Sequence, residues 1–263
     1  ERVFAKWLQS AGYRTGYFGK YLNGYEKLLS QNGKHVPPYW DEWQAFPHAE
    51  YFDFALVEKS LDGKVKTRCY LSDSTSKKKT EKKCKKGADE IVDDGKENYS
   101  TDVLRDHVLD FIDRAAKEKK PFFIHFAPKA PHGPFLSPAR YQPDADDATF
   151  TKEAMERLGQ CPLFDWKPPP SYLEADISDK PDWVKEMKGT FREKKLERIR
   201  KLQLVSVLAV EDALQAIVDK LKALGIEDDT VLVYSADNGY AWGEHHWSGK
   251  NCAYEECARV PLM

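Results

Sequence analysis

Three short apolar runs in this chain end in polar groups suited to handling a small anion. Lys20 follows Thr15-Gly16-Tyr17-Phe18-Gly19, His132 lies in the loop after Phe122 to Phe126, and Asp237-Asn238 follows Thr230 to Tyr234. A lysine with a histidine offers cationic and proton-transfer groups for an anionic substrate. An aspartate beside an asparagine offers hard oxygen ligands suited to Ca²⁺ or Mg²⁺. Each group taken alone reads just as well as a turn residue, and Asp-Asn-Gly is a common tight turn. Their coincidence at three strand ends argues for chemistry, because ligands of open α/β sheets bind outside the carboxyl ends of the strands.

The elements needed to position these groups follow from the periodicity. Val3, Phe4, Trp7, Leu8 and Ala11 have helical spacing and Gly12 stops the helix, so residues 1 to 11 read as amphipathic. Residues 23 to 50, rich in Gly, Pro, Tyr and Trp, read as an ordered loop walling a pocket. Residues 51 to 72 alternate around Asp62-Gly63 as a β-hairpin. Ser100-Thr101-Asp102 is an N-cap signal for a helix that ends before Pro121. Residues 135 to 190 hold seven prolines and read as irregular covering structure, and residues 191 to 224 as one long helix stopped by Gly225. Thr230 to Tyr234 reads as a buried strand. Strand, polar loop and helix recur three times, which predicts an open, mostly parallel sheet with helices on both faces.

Composition sets limits on partners. The 263 residues carry 41 Lys and Arg against 43 Asp and Glu, so the net charge of −2 gives no reason to expect nucleic acid. No apolar run approaches the length of a membrane span. Seven lysines crowd residues 77 to 86, within a lysine-rich surface excursion over 73 to 97; it reads as solvated, with polyanion binding as the alternative. The five cysteines match no zinc spacing. Cys69 and Cys84 bracket the lysine run and are placed to close a disulfide, and Asn98-Tyr99-Ser100 is an N-glycosylation pattern. Buried free thiols are the alternative for the cysteines.

Four stretches in order, GYRTGYFGKYLNGY, FAPKAPHGPF, EADISDKPDWV and YSADNGYAWGEHHWSGKNCAYEECARVPL, resemble successive blocks of the type I sulfatases. The third is similar to the branch holding N-acetylglucosamine-6-sulfatases and arylsulfatase-like enzymes. The resemblance implies an alkaline-phosphatase-like three-layer αβα domain with a mostly parallel or mixed central sheet, spanning 1 to 263 as a partial catalytic domain. It implies Lys20, His132 and Lys250 as catalytic groups on the sulfate, and Asp237 and Asn238 as ligands of a divalent cation, Ca²⁺ or Mg²⁺. His245 falls where the family often places a substrate-facing group, while His246 reads as structural.

The family's nucleophile is a formylglycine made from C/S-x-P-x-R, and no cysteine here fits that motif; in Leu136-Ser137-Pro138-Ala139-Arg140 the serine is out of register. The paired acidic ligands of a first strand are also missing, and Leu22 stands where many sulfatases have a histidine. These departures lead us to expect a chain truncated at its amino end, with its formylglycine upstream, and inactive by itself; Arg259 to Met263 read as the opening of a strand that stops in mid-course, so truncation is expected at the carboxyl end too. The expected parent hydrolyses sulfate esters, with 6-sulfated N-acetylglucosamine in glycans as the suggested substrate, in the secretory pathway, in lysosomes, outside the cell or, in a bacterium, in the periplasm. The competing readings are a non-catalytic protein that binds sulfated glycans and a phosphatase or phosphonate hydrolase of the same superfold.

Overall fold

The computed structural model describes residues 3–32, 34–72, 78–142, 149–161, 165–190 and 192–263. In chain order the elements are α1 (Phe4–Ser10), β1 (Arg14–Gly19), α2 (Tyr25–Asn32), β2 (Glu42–Ala45), β3 (Phe54–Lys59), β4 (Val65–Tyr70), α3 (Lys78–Lys85), β5 (Glu90–Val92), α4 (Ser100–Lys117) and β6 (Phe122–Ala127). There follow α5 (Lys152–Gly159), α6 (Asp182–Lys185), α7 (Glu193–Leu224), β7 (Ala241–Trp242), β8 (Ser248–Gly249) and α8 (Glu255–Ala258). The central sheet has the order β5-β4-β3-β2-β1-β6. β1 runs parallel to β2 and β6, whereas the β3–β4 hairpin is antiparallel and joins β2 antiparallel, so the sheet is mixed.

Alternation along β1 and β3 feeds two faces. Phe18, Phe54 and Leu56 pack against Leu104, Val108, Phe111 and Ile112 of α4 and Ile217 and Leu221 of α7. Tyr17, Trp43 and Val57 pack on the opposite face with Ala5 of α1 and Tyr25 of α2. Helices on both faces of a mixed sheet make the three layers that the sequence predicts. Gly225 closes α7 in the left-handed conformation at φ 67°, as a C-terminal glycine cap does.

The structure alters some local expectations and agrees with others. Residues 23 to 50 form α2 and β2 rather than a loop alone: Trp43 and Ala45 are fully buried and the short strand reads too weakly in period to be seen. The segment 135 to 190 contains α5 and α6, and Thr151 caps α5 by accepting from the Ala154 N–H at 3.2 Å. The lysine run is helical over Lys78–Lys85 and is pinned to the sheet by a Cys69–Cys84 disulfide. The N-cap of α4 is Tyr99, not Ser100: the Ser100 side chain is buried and Asp102 instead accepts from Arg140. Asn98 turns its amide nitrogen onto the Leu71 carbonyl at 2.7 Å and Asp94 at 3.0 Å.

The largest difference is at Thr230 to Tyr234. The β-branched run has the composition of a strand, yet it joins no sheet, and Val231 is 88% and Val233 68% exposed. Propensity alone does not make a strand, since its backbone groups need a neighbour. Here the ladder contacts are confined to Tyr234 with Met263 and Ser235 with Leu262. The outer edge of β6 likewise has no neighbour among the described residues.

Candidate active site

The first constellation grows from a close approach of two strands. Gly19 has φ 127°, and a Cβ there would lie 1.9 Å from the Ala127 carbonyl oxygen, so a glycine is required at this strand end. The Lys20 N–H then donates to Ala127 O at 2.7 Å, which sets Lys20 beside the loop after β6. In that loop the His132 N–H donates to Lys129 O at 2.8 Å, the Phe135 N–H to His132 O at 3.0 Å, and the Tyr51 hydroxyl also donates to His132 O. Lys20 and His132 line one cleft of about 320 Å³ together with Asn23, His48 and Lys129.

Within this cleft the charges differ in kind. The His132 Nδ1 lies 3.0 Å from the Gly133 carbonyl oxygen. A carbonyl only accepts, so Nδ1 carries the proton and Nε2 is left for a ligand. No carboxylate lies within ion-pair distance of Lys20 among the described residues. Lys129, which sequence reasoning missed, is buried and donates to Ala49 O at 2.5 Å and Glu50 Oε2 at 3.0 Å. Burial pushes its ammonium below the ordinary lysine value, with Glu50 opposing. Its sequence signal is faint: a lysine between two prolines of the histidine loop.

The second constellation lies after α7. A Cβ on Gly239 would meet Glu256 O at 2.1 Å, and the Gly239 N–H donates to Cys257 O at 2.9 Å, which docks the Asp237-Asn238 turn on α8. Asp237 is exposed, and the Asn238 amide nitrogen donates to Gly239 O at 2.8 Å, which leaves Oδ1 open. A carboxylate and an amide oxygen side by side suit one side of a Ca²⁺ or Mg²⁺ shell. No cluster of three or more His, Cys, Asp or Glu ligands forms among the described residues. Lys250 follows β8, in a loop held to α8 by a Cys252–Cys257 disulfide, and lines a second cleft of about 590 Å³ with Trp183, Trp247 and Asn251. No carboxylate pairs with Lys250 among the described residues.

Thus Lys20 and His132 share one cleft, Lys250 lines another, and Asp237 and Asn238 line neither of the two. An edge-to-face contact of Phe135 with Tyr240, centroids 6.2 Å apart, links the histidine loop to the Asp237-Asn238 turn. His245 has φ 52°, places Nδ1 2.9 Å from Glu174 Oε1 and stacks on Tyr254 at 4.1 Å. Glu174 is therefore a second missed residue, and its position at the head of EADISDKPDWV was the available signal. His246 is buried, with Nε2 2.7 Å from Glu174 O, in keeping with its structural reading. Ser137 is buried and Arg140 pairs with Asp102 and Asp212, so both belong to packing.

Comparison with known proteins identifies the family. The Sulfatase family model matches residues 1–263. An arylsulfatase of Volvox carteri is 31% identical over 98% of this chain and 36% of its own length. The N-acetylglucosamine-6-sulfatase of Homo sapiens is 26% identical over 96% of this chain and 39% of its own length. The chain thus spans well under half the length of either relative. A protein solved in complex with its substrate, D-glucosamine-2-N,6-O-disulfate, superposes with a TM-score of 0.58 at 23% identity, covering 100% of this chain and 55% of that one; the likeness is one of fold. On the match along its whole length, the chain belongs to the sulfatase family.

Proposed function

We propose that this domain serves the hydrolysis of sulfate monoesters, with a 6-sulfated amino sugar as the substrate class. The observation that carries the reading is the pair Lys20 and His132 in one cleft at the carboxyl ends of β1 and β6, within a chain of the sulfatase family. The human relative named for N-acetylglucosamine 6-sulfate supports the sugar. No helix of the described residues is long and apolar enough to cross a membrane. Two disulfides support passage through an oxidising compartment.

The chemistry follows from charge. A sulfate monoester carries its negative charge on the non-bridging oxygens, and cleavage of its S–O bond places new charge on the departing alkoxide. Lys20 neutralises the sulfate oxygens, and its lack of a carboxylate partner leaves that charge for the substrate. His132, with Nδ1–H fixed on Gly133 O, directs Nε2 at the ester oxygen and gives a proton to the leaving alkoxide when it is protonated. Lys250 supplies a second cation for the sulfate and the leaving group. Sulfatases use a metal ion and a formylglycine; the metal supplies Lewis acidity at the sulfate and the formylglycine the attacking oxygen. In this chain Asp237 and Asn238 would hold the cation, Ca²⁺ or Mg²⁺.

The test is sulfate release, by ion chromatography, from N-acetylglucosamine 6-sulfate incubated with the full-length protein. Release that is lost on chelation and restored by Ca²⁺ supports the reading, and no release with Ca²⁺ present rejects it.

A further inference from the structure

Beside Lys250 the molecule presents aromatic surface that the sulfate chemistry leaves unused. Trp183 lies in the short helix α6, whose neighbour Val184 is fully buried and anchors it, yet Trp183 itself is 42% exposed. Its orientation is fixed from below. Trp247 meets it edge to face, with centroids 5.3 Å apart and planes at 88°, and Tyr254 lies at 6.3 Å. Tyr254 is in turn stacked on His245, which Glu174 holds. A T-shaped support leaves a ring face uncovered, and Trp183, Trp247, Lys250 and Asn251 line the same cleft of about 590 Å³.

We propose that this cleft receives the sugar ring of the ester, a pyranose whose C–H face stacks on the Trp183 indole while Lys250 meets the sulfate. The proposal rests on the sulfate-ester reading above. A pyranose has one flat face of C–H groups and a rim of hydroxyls, and it needs an aromatic plane with polar groups at its edge. The cleft supplies both: an indole held by two aromatic neighbours, and an ammonium and a carboxamide from adjacent positions of one loop. The Cys252–Cys257 disulfide holds that loop against α8, and Trp247, three residues before Lys250, meets the Trp183 platform. Trp183 thus acts on specificity, distinguishing a sugar sulfate from a bare sulfate ion, and takes no part in bond cleavage.

The experiment uses the two products, which cannot turn over. The full-length protein is titrated calorimetrically with N-acetylglucosamine and, separately, with inorganic sulfate. Trp183→Ala is expected to weaken N-acetylglucosamine about tenfold and leave sulfate within about twofold. Trp183→Phe, which keeps a ring, retains most of the sugar affinity and shows that loss in the alanine variant is not misfolding. Lys250→Gln does the reverse, weakening sulfate and sparing the sugar. The proposal is overturned if Trp183→Ala leaves sugar binding unchanged, if it weakens both ligands by one factor, or if the unsubstituted protein does not bind the sugar. Binding is read without catalysis, so failure to hydrolyse any sulfate ester would count against the proposed reaction alone.

Discussion

Lys20 and His132 are held by a sheet, whereas Asp237, Asn238 and Lys250 are held by turns. In the first region β1 and β6 pair in parallel from Arg14–Phe122 to Gly19–Ala127, and the functional groups stand at the end of that ladder. In the second the run before Asp237 pairs with no strand of the sheet, and position is set by a two-residue hairpin, a glycine docked on α8 and one disulfide. Residues proposed for one reaction thus rest on supports of very different cooperativity. Sheet registry fixes geometry through many mutual hydrogen bonds, while a docked turn depends on a few contacts and opens more readily.

The largest difference between the two supports is expected when a methyl group is added to each glycine. Gly19→Ala combines a left-handed φ with a clash against Ala127 O and should lower stability by about 3 kcal/mol or more, with loss of activity, read by thermal unfolding and sulfate release. Gly239→Ala should cost activity while lowering the unfolding midpoint less, because its segment lies outside the central sheet. Equal drops in midpoint for the two would erase the distinction drawn here.

Next in size come the charged groups. In the proposed reaction His132 and Lys250 both act where charge develops, so His132→Ala and Lys250→Ala should each lower kcat on a small sulfate ester about a hundredfold to a thousandfold. With Asp237 as the proposed cation ligand, Asp237→Ala should differ in kind, through weaker cation binding, and raising Ca²⁺ should recover part of its rate. A rate that ignores Ca²⁺ would remove Asp237 from the metal site.

How much of this was legible beforehand divides along the same line. The helix before β1, the hairpin around Asp62-Gly63 and the long α7 follow from periodicity, and so does the lysine at the end of β1. The Cys69–Cys84 bridge was also within reach of spacing, given an oxidising compartment. The strand at Thr230 to Tyr234 was not realised, because a β-prone composition states a preference and says nothing about whether a neighbour exists. Lys129 and Glu174 were missed for a related reason. Their partners, Glu50 and His245, lie 79 and 71 residues away, and such pairings have no local pattern.

Smaller effects concern pH and the lysine helix. His107 packs beside Tyr70 and Glu58, with Nε2 3.0 Å from the Tyr70 hydroxyl oxygen, and burial lowers its pKa. Its folded pKa lies below its unfolded value, so the unfolded chain binds the proton first as the solution is acidified. Stability should therefore fall as pH drops below about 6.5 and level off beneath the folded pKa. His107→Gln should flatten that slope in urea titrations across the window. The smallest change is expected from replacing Lys82, Lys83, Lys85 and Lys86 by Gln. Lys83 lies 3.6 Å from Glu50 and Lys85 2.6 Å from Glu81, both solvent-screened surface pairs that contribute little to stability. Turnover of a small ester should stay within about twofold, whereas a loss as large as that of Lys250→Ala would move the anion site to α3.

The most direct test of sulfate-ester hydrolysis is the competition between two anions at one active site. The full-length protein is given a sulfate monoester and the corresponding phosphate monoester, and the inorganic sulfate and phosphate released are quantified together by ion chromatography. Sulfate should be released faster, and Lys250→Ala should slow this release about a hundredfold. Faster release of phosphate, or sulfate release that survives Lys250→Ala unchanged, would contradict the proposed reaction.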